Sequence, residues 1–202
     1  MDLQMLEDSM KKNLKQPRYL HSIGVEEVAC DLAVIYGYDP GKASIAGILH
    51  DCAKNLSDEE LLCYCQKYQL PVTEIEVRCP FLLHGKVGAA FAKDQYKITD
   101  PEIIDSITYH TTGRPNMSLL EKIIFTADYI EPYRRPLPRI DEIRWMAYTD
   151  LDQAVLIILE NTLSYLEQSK EEIDTMTVDT YQYYKTTLSA GHGSDKNEKI
   201  LK

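Results

Sequence analysis

The segment AGILHDCAK, residues 46–54, decides both the fold class and the chemistry of this chain. Asp39 followed by Pro40 is a typical helix start, so the sequence predicts that a helix carries this segment. Small residues before His50, among them Gly47, allow a second helix to approach closely. An adjacent His-Asp pair is therefore expected on a helix that packs closely against its neighbours.

Working outward from this segment, start and stop signals divide the chain into further helices. A helix is predicted from Pro17 to Gly37, because proline favours a first turn and glycine a helix end. Capping-box patterns at Ser57 and Ser118 open two more helices. A third such pattern, Thr99 to Glu102, opens the helix that ends in Tyr-His. These signals favour an all-α bundle, and we find no convincing strand pattern in the sequence.

The C-terminal half divides in the same way. Residues 131–139, EPYRRPLPR, are too rich in proline for a helix, and a long helix is predicted over residues 150–168. We predict one domain over residues 1–188. Residues 189–202 are polar and contain glycine, so we expect a flexible tail there and assign no function to its His192.

Composition narrows the functional classes. The chain has 202 residues and a net charge of −10, which disfavours nucleic-acid binding because phosphate backbones require clustered positive charge. The apolar runs are too short to cross a bilayer, and no signal-peptide core precedes the first helix. Five cysteines without a CxxC pair fit reduced thiols in a cytoplasm. We expect a cytoplasmic protein that binds neither nucleic acid nor membrane, and a homodimer is possible.

Histidines and aspartates are the informative residues, because they lie on apolar helix faces. His21 shares a face with Val25, Val28 and Leu32 at spacings of three and four residues. The residues that we expect to point inward are His21, His50, Asp51, His84, His110 and Asp128. One such histidine is commonly a hydrogen-bonded core residue, but two buried carboxylates with few basic partners are costly. A divalent cation would resolve that imbalance.

The order of these residues resembles the motif of the HD phosphohydrolase superfamily, which is a His, an adjacent His-Asp and a distant Asp. Stretches from RYLHSIGV at residue 18 to FTADYIEP at residue 132 look like the bacterial YqeK group within it. The resemblance implies symmetrical hydrolysis of diadenosine tetraphosphate to two ADP. It also implies a helical fold and iron as the metal. The C-terminal segment departs from the group, because Met176 stands where a proline is expected.

By this resemblance the metal ligands are His21, His50, Asp51 and Asp128. Imidazole and carboxylate without thiolate suit iron, manganese, cobalt or zinc in a catalytic site. Two roles remain open for His84 and His110. They bind a second ion that Asp51 bridges, or they contact the phosphates and protonate the leaving group of a mononuclear site.

Positive and hydroxyl side chains near these ligands are candidate substrate contacts. Arg18 precedes His21 by three residues and Lys54 follows His50 by four, so each shares a helix face with a ligand. We expect both to reach a phosphate and Lys54 to be catalytic. Thr111 and Arg134 are added as substrate contacts by the resemblance. The alternatives are an HD enzyme for another nucleotide and a nucleotide sensor without activity.

Overall fold

The computed structural model describes residues 3–194, with side chains described up to residue 190, and no strand occurs within that range. Its α-helices are α1 Leu3–Asn13, α2 Gln16–Ile35, α3 Pro40–Leu49, α4 Asp58–Tyr68, α5 Glu74–Arg78, α6 His84–Asp94, α7 Pro101–Tyr109, α8 Leu119–Ile130, α9 Ile140–Ala147, α10 Leu151–Ser169 and α11 Thr175–Ser194. A 3-10 turn, Pro80–Leu83, precedes α6. The all-α prediction is confirmed.

Close contact between α2 and α3 sets the position of the His-Asp pair. A Cβ atom added to Gly47 would lie 2.8 Å from the Cα atom of Glu26, so only glycine permits this approach. The small-residue interpretation is therefore confirmed. α8 packs on both α2 and α3, and α7 joins α3, α6 and α8. The core residues Val25, Ile107 and Ile124 belong to these helices and are fully buried where the helices pack together.

Helix starts agree with the sequence, with one exception. Ser57 and Ser118 each accept a hydrogen bond within a complete capping box, as predicted. The capping box predicted at Thr99 is wrong, because Asp100 is the N-cap and accepts from the backbone N of Glu102 at 2.9 Å. The carboxylate of Glu102 instead binds Lys42. The helix itself begins where the pattern indicated.

Several segments outside the centre bear on the predicted boundaries. Residues 131–139 are not helical, as predicted. The short helices α5 and α9 had no counterpart in the sequence analysis. The boundary predicted at residue 188 lies inside α11, which continues to Ser194. Residues 195–202 of the expected tail lie outside the described residues, as does the side chain of His192.

Among the described helices, none is both long enough and apolar enough to cross a membrane.

Candidate metal centre

Six side chains from five helices converge at one buried point, and they are the six that the sequence predicted to point inward. His21 lies within α2, Asp128 lies within α8, and His84 begins α6. His50 directly follows α3, and His110 directly follows α7. Each helix thus contributes one end or one face, so the centre forms only when the bundle is assembled.

One part of the centre, here called the first cluster, contains His21, His50 and Asp128. The Nε2 atoms of His21 and His50 are 3.2 Å apart, and Oδ1 of Asp128 is 3.1 Å from Nε2 of His21. Oδ2 of Asp51 faces this cluster, at 3.7 Å from Nε2 of both histidines. The ligand atoms of His21, His50 and Asp51 all lie within 4.8 Å of one another, and the same holds for His50, His110 and Asp128, so either group could hold an ion.

The second cluster contains His84 and His110. Their Nε2 atoms are 3.0 Å apart. Oδ1 of Asp51 is 3.3 Å from Nε2 of His84 and 3.4 Å from Nε2 of His110. The two carboxylate oxygens of Asp51 therefore face different clusters, which is the geometry of a bridging ligand. No cysteine belongs to the groups of candidate ligand atoms found among the described residues.

Backbone carbonyls fix the protonation of three of these imidazoles. Nδ1 of His50 donates to the carbonyl of Gly47, three residues earlier, at 2.7 Å. His84 and His110 each donate in the same way to the carbonyl three residues earlier, at 2.6 Å and 2.8 Å. A carbonyl only accepts, so Nδ1 carries the hydrogen and a neutral ring presents a lone pair at Nε2. Nε2 lone pairs and carboxylate oxygens thus face one another in a buried space.

This donor set fits a divalent cation. Oδ1 of Asp51 is buried and has no hydrogen-bond partner of good geometry among the described residues. An unsatisfied buried carboxylate oxygen is costly, and a cation between it and the Nε2 lone pairs removes that cost. The centre is therefore suited to a divalent metal held by nitrogen and oxygen ligands.

Electrostatics divide the histidines into two kinds. Burial opposes the charged form of His21, but hydrogen bonds to Asp128 and Glu131 outweigh it and raise its pKa from 6.5 to about 9. Burial lowers the pKa of His50 to about 4, and burial together with the Lys54 charge does the same for His84. Burial also opposes ionisation of Asp51, yet attraction to the ammonium of Lys54 helps to hold its pKa well below 3.8. The carboxylates are thus ionised, as metal ligands must be.

Three cationic side chains surround the centre. Nη1 of Arg18 is 3.4 Å from Oδ2 of Asp51, and Nη2 of Arg134 is 2.7 Å from Oδ1 of Asp128. Nζ of Lys54 lies 2.9 Å from Nε2 of His84. Their side chains are between one quarter and one half exposed, so each also reaches solvent. The structure brings all three predicted cations to the centre.

The turn after α7 adds a hydroxyl to the second cluster. Oγ1 of Thr111 is 3.1 Å from Nε2 of both His84 and His110. Gly113 ends the turn with φ of +64°, and its α-carbon lies against Thr180 of α11. The helix α11, which contains Met176, therefore packs against this turn. The contact between Thr111 and a phosphate stays a prediction.

Sequence analysis missed Glu131. This carboxylate is buried, and its Oε1 lies 3.0 Å from Nδ1 of His21, opposite the cluster. Gly24 leaves room for it, because a Cβ there would lie 2.8 Å from Oε2 of Glu131. Such an outer carboxylate orients a ligating histidine and raises its basicity. Its position directly after α8, three residues after Asp128, was an available signal.

Comparison with protein families identifies the class of protein to which this chain belongs. The family model of the HD domain matches residues 18–133, which include the six converging side chains and Glu131 but not Arg134. The chain belongs to the HD domain family.

Similar proteins of known name belong to one group within the HD domain family. The chain is 42% identical over 172 residues to the "Bis(5'-nucleosyl)-tetraphosphatase, symmetrical" of Halalkalibacterium halodurans, covering 85% of this chain and 91% of that protein. It is 40% identical to the protein of the same name from Bacillus subtilis, covering 86% and 92%. It is also similar to the crystal structure of a "predicted HD superfamily hydrolase involved in NAD metabolism" from Clostridium acetobutylicum. That similarity has a TM-score of 0.89 and 39% identity, and it covers 93% and 98% of the two chains. The resemblance to the YqeK group is confirmed.

Proposed function

We propose that this protein hydrolyses diadenosine tetraphosphate symmetrically and releases two ADP. One observation carries the proposal: among the described residues, overlapping groups of candidate metal ligands lie beside three cations, in a chain that matches symmetrical tetraphosphatases over most of its length. The reaction breaks the anhydride bond between the two central phosphates. The water oxygen ends on one ADP, and the bridging oxygen leaves on the other.

The metal that we propose is iron, in two positions that share Asp51. His21, His50, Asp51 and Asp128 would hold one ion, and Asp51, His84 and His110 the other. The two oxygens of Asp51 face different clusters, which supports two ions over one. When bound, such ions stabilise developing charge on phosphate oxygens and lower the pKa of bound water from about 15.7 towards about 7. Iron itself rests on the family resemblance and on the imidazole and carboxylate ligands.

The chain's own residues do the remaining work. Arg18, Lys54 and Arg134 would bind the phosphate oxygens and neutralise the charge that develops on them. Each already lies beside a carboxylate or imidazole of the centre, so binding requires only a change of partner. Thr111 would donate its hydroxyl hydrogen to a phosphate near the second cluster. Lys54 is the catalytic cation in this proposal, because it lies closest to the second cluster.

Product analysis tests the proposal. Metal-loaded protein is incubated with diadenosine tetraphosphate, and the products are resolved by ion-exchange chromatography beside an Asp51→Ala control. We expect ADP alone from the wild type and no product from the variant. AMP together with ATP would mean that the cut is asymmetric. No product from metal-loaded protein would favour another nucleotide or a sensing role, which a panel of nucleotides then separates.

A further inference from the structure

Arg114 comes three residues after Thr111, at the end of the turn that follows α7. Its guanidinium forms a two-point ion pair with Glu121 of α8, in which Nε lies 2.6 Å from Oε1 and Nη2 donates to Oε2 at 2.9 Å. Nη2 also donates to Oδ2 of Asp105 in α7 at 3.0 Å. The side chain of Arg114 therefore joins α7 to the first turn of α8.

The carboxylate of Glu121 anchors this arrangement. Only 1% of the surface of Glu121 is exposed, and its Oε2 also accepts from the backbone N of Ser118 in the capping box of α8. A buried carboxylate needs a charged partner, which Arg114 provides. Because a planar guanidinium matches both oxygens of a carboxylate, the pair fixes the direction of the Arg114 side chain as well as its charge.

The same guanidinium covers the start of the turn. Its Cζ atom lies 4.5 Å from the ring centroid of Tyr109, which is the last residue of α7. The backbone N of Gly113 donates to the carbonyl of Tyr109 at 2.8 Å and closes the turn. Arg114 therefore holds both ends of the turn, because its backbone follows Gly113 and its side chain packs on Tyr109.

Thr111 is the residue of this turn whose placement depends on it. The ring of His110 is held separately, because its Nδ1 donates to the carbonyl of Ile107 at 2.8 Å. Oγ1 of Thr111 lies 3.1 Å from Nε2 of His110, and Thr111 lines the cavity that opens beside the centre between α8, residues 131–139 and α10. Arg114 is not among the residues that line this cavity in the described part of the chain.

We propose that Arg114 is a positioning residue, which holds the turn in the conformation that presents the hydroxyl of Thr111 to a substrate phosphate. This rests on the proposed function for the contact between Thr111 and the phosphate. Arg114 acts through the turn and does not contact the phosphate itself. Lysine cannot replace it, because a single ammonium does not form the two-point ion pair and stack on Tyr109 together.

Binding of inorganic pyrophosphate to metal-loaded protein, measured by calorimetry, tests this role. Arg114→Lys keeps a positive charge for Glu121 but loses the two-point geometry. We expect about tenfold weaker binding, the size of the loss of one hydrogen bond to a charged group. Arg78→Lys is the matched control and should match wild type, because Arg78 forms a similar two-oxygen contact with Glu172 on the exposed surface.

A double-mutant cycle distinguishes positioning from a general effect on the fold. Thr111→Val removes the hydroxyl and keeps the shape of the side chain. In that background, Arg114→Lys should change the affinity by less than about twofold, because residues that act as one unit are not additive. Asp105→Asn is a milder variant for the case that Arg114→Lys does not fold. It removes a half-exposed contact of the guanidinium and should weaken binding by about threefold.

Wild-type affinity for pyrophosphate in folded Arg114→Lys would overturn the proposal. Equal weakening with and without the Thr111 hydroxyl would overturn it as well, because Arg114 would then act independently of Thr111. If Arg114→Lys does not fold, wild-type affinity in Asp105→Asn has the same meaning. Pyrophosphate binding requires no turnover. A protein that shows the expected coupling but does not cleave diadenosine tetraphosphate keeps the positioning role and loses the proposed function.

Discussion

The two clusters of the metal centre share Asp51 but differ in what surrounds them. The first cluster includes its own carboxylate, Asp128. A second carboxylate, Glu131, contacts Nδ1 of His21 on the side of the ring away from the cluster. The second cluster has no carboxylate of its own, and the ammonium of Lys54 lies 2.9 Å from Nε2 of His84. Negative charge attracts a cation and a neighbouring ammonium repels it. Arg18 and Arg134 lie beside carboxylates of the first cluster, so its two additional carboxylates are matched by two cations, whereas the second cluster has the ammonium alone. If each cluster binds an ion as proposed, we expect the ion at the second cluster to be the weaker and more exchangeable one.

The largest expected effect is at the residue that both clusters share. Asp51→Asn removes the bridging charge, so we expect both ions to be lost and turnover to fall by at least about 10³-fold, since metal ions supply several kcal/mol to such reactions. Metal content by plasma mass spectrometry and ADP release are the measurements. Asp31→Asn, on the exposed face of α2, is the control and should match wild type. Full metal content in Asp51→Asn would contradict a shared ligand.

Removing one ligand from each cluster separates the two ions. We expect about two ions per chain in wild type, a count that rests on the two-ion proposal, and about one in His84→Ala. The remaining ion should resist dialysis because the carboxylates of the first cluster hold it. His21→Ala should weaken the tight ion instead. Metal-to-protein ratios after dialysis measure this. An unchanged ratio in His84→Ala would mean that the second cluster contacts phosphate and binds no ion.

Cations beside the two clusters should differ in their effect on turnover. Lys54→Ala is expected to lower turnover by about 10²-fold, as for loss of one preorganised charge-stabilising group. Arg18→Ala should cost less, because the Arg18 side chain is 45% exposed and its charge is better screened. Steady-state kinetics and thermal unfolding are compared with Lys11→Ala, an exposed lysine of α1. Full activity in Lys54→Ala would remove its catalytic assignment.

The smallest expected effect is behind the first cluster. Glu131→Gln keeps the size of the side chain but removes its charge from His21, and outer-shell changes of this kind cost about 10-fold to 100-fold in metal affinity. Competition with a chelator measures the affinity. Glu167→Gln, exposed on α10, provides the control. An affinity equal to that of wild type would show that Glu131 serves packing alone.

Local sequence signals predicted the helices that carry the centre and its six converging side chains, but not the short helices α5 and α9 or Glu131. Ser57 and Ser118 start helices because their hydroxyls satisfy free backbone N–H groups within the same few residues. The inward direction of His21, His84 and His110 followed from apolar neighbours at helical spacing. The cap at Asp100 was missed because Thr99 and Asp100 compete for the same role one residue apart. Each of these features depends only on neighbours along the chain.

The positions of those residues relative to one another depend on the tertiary structure. The sequence by itself predicted a helical fold and the six side chains that converge at the centre, and through resemblance it predicted the family. It did not determine that the two oxygens of Asp51 face separate clusters, that Glu131 contacts Nδ1 of His21, or that α10 and residues 131–139 line a cavity beside the centre. The physical reason is that a ligand cluster and a cavity consist of distances between helices that are far apart in the chain. Those distances are set by packing, such as the contact of Gly47 with Glu26, and periodicity within one helix carries no information about them.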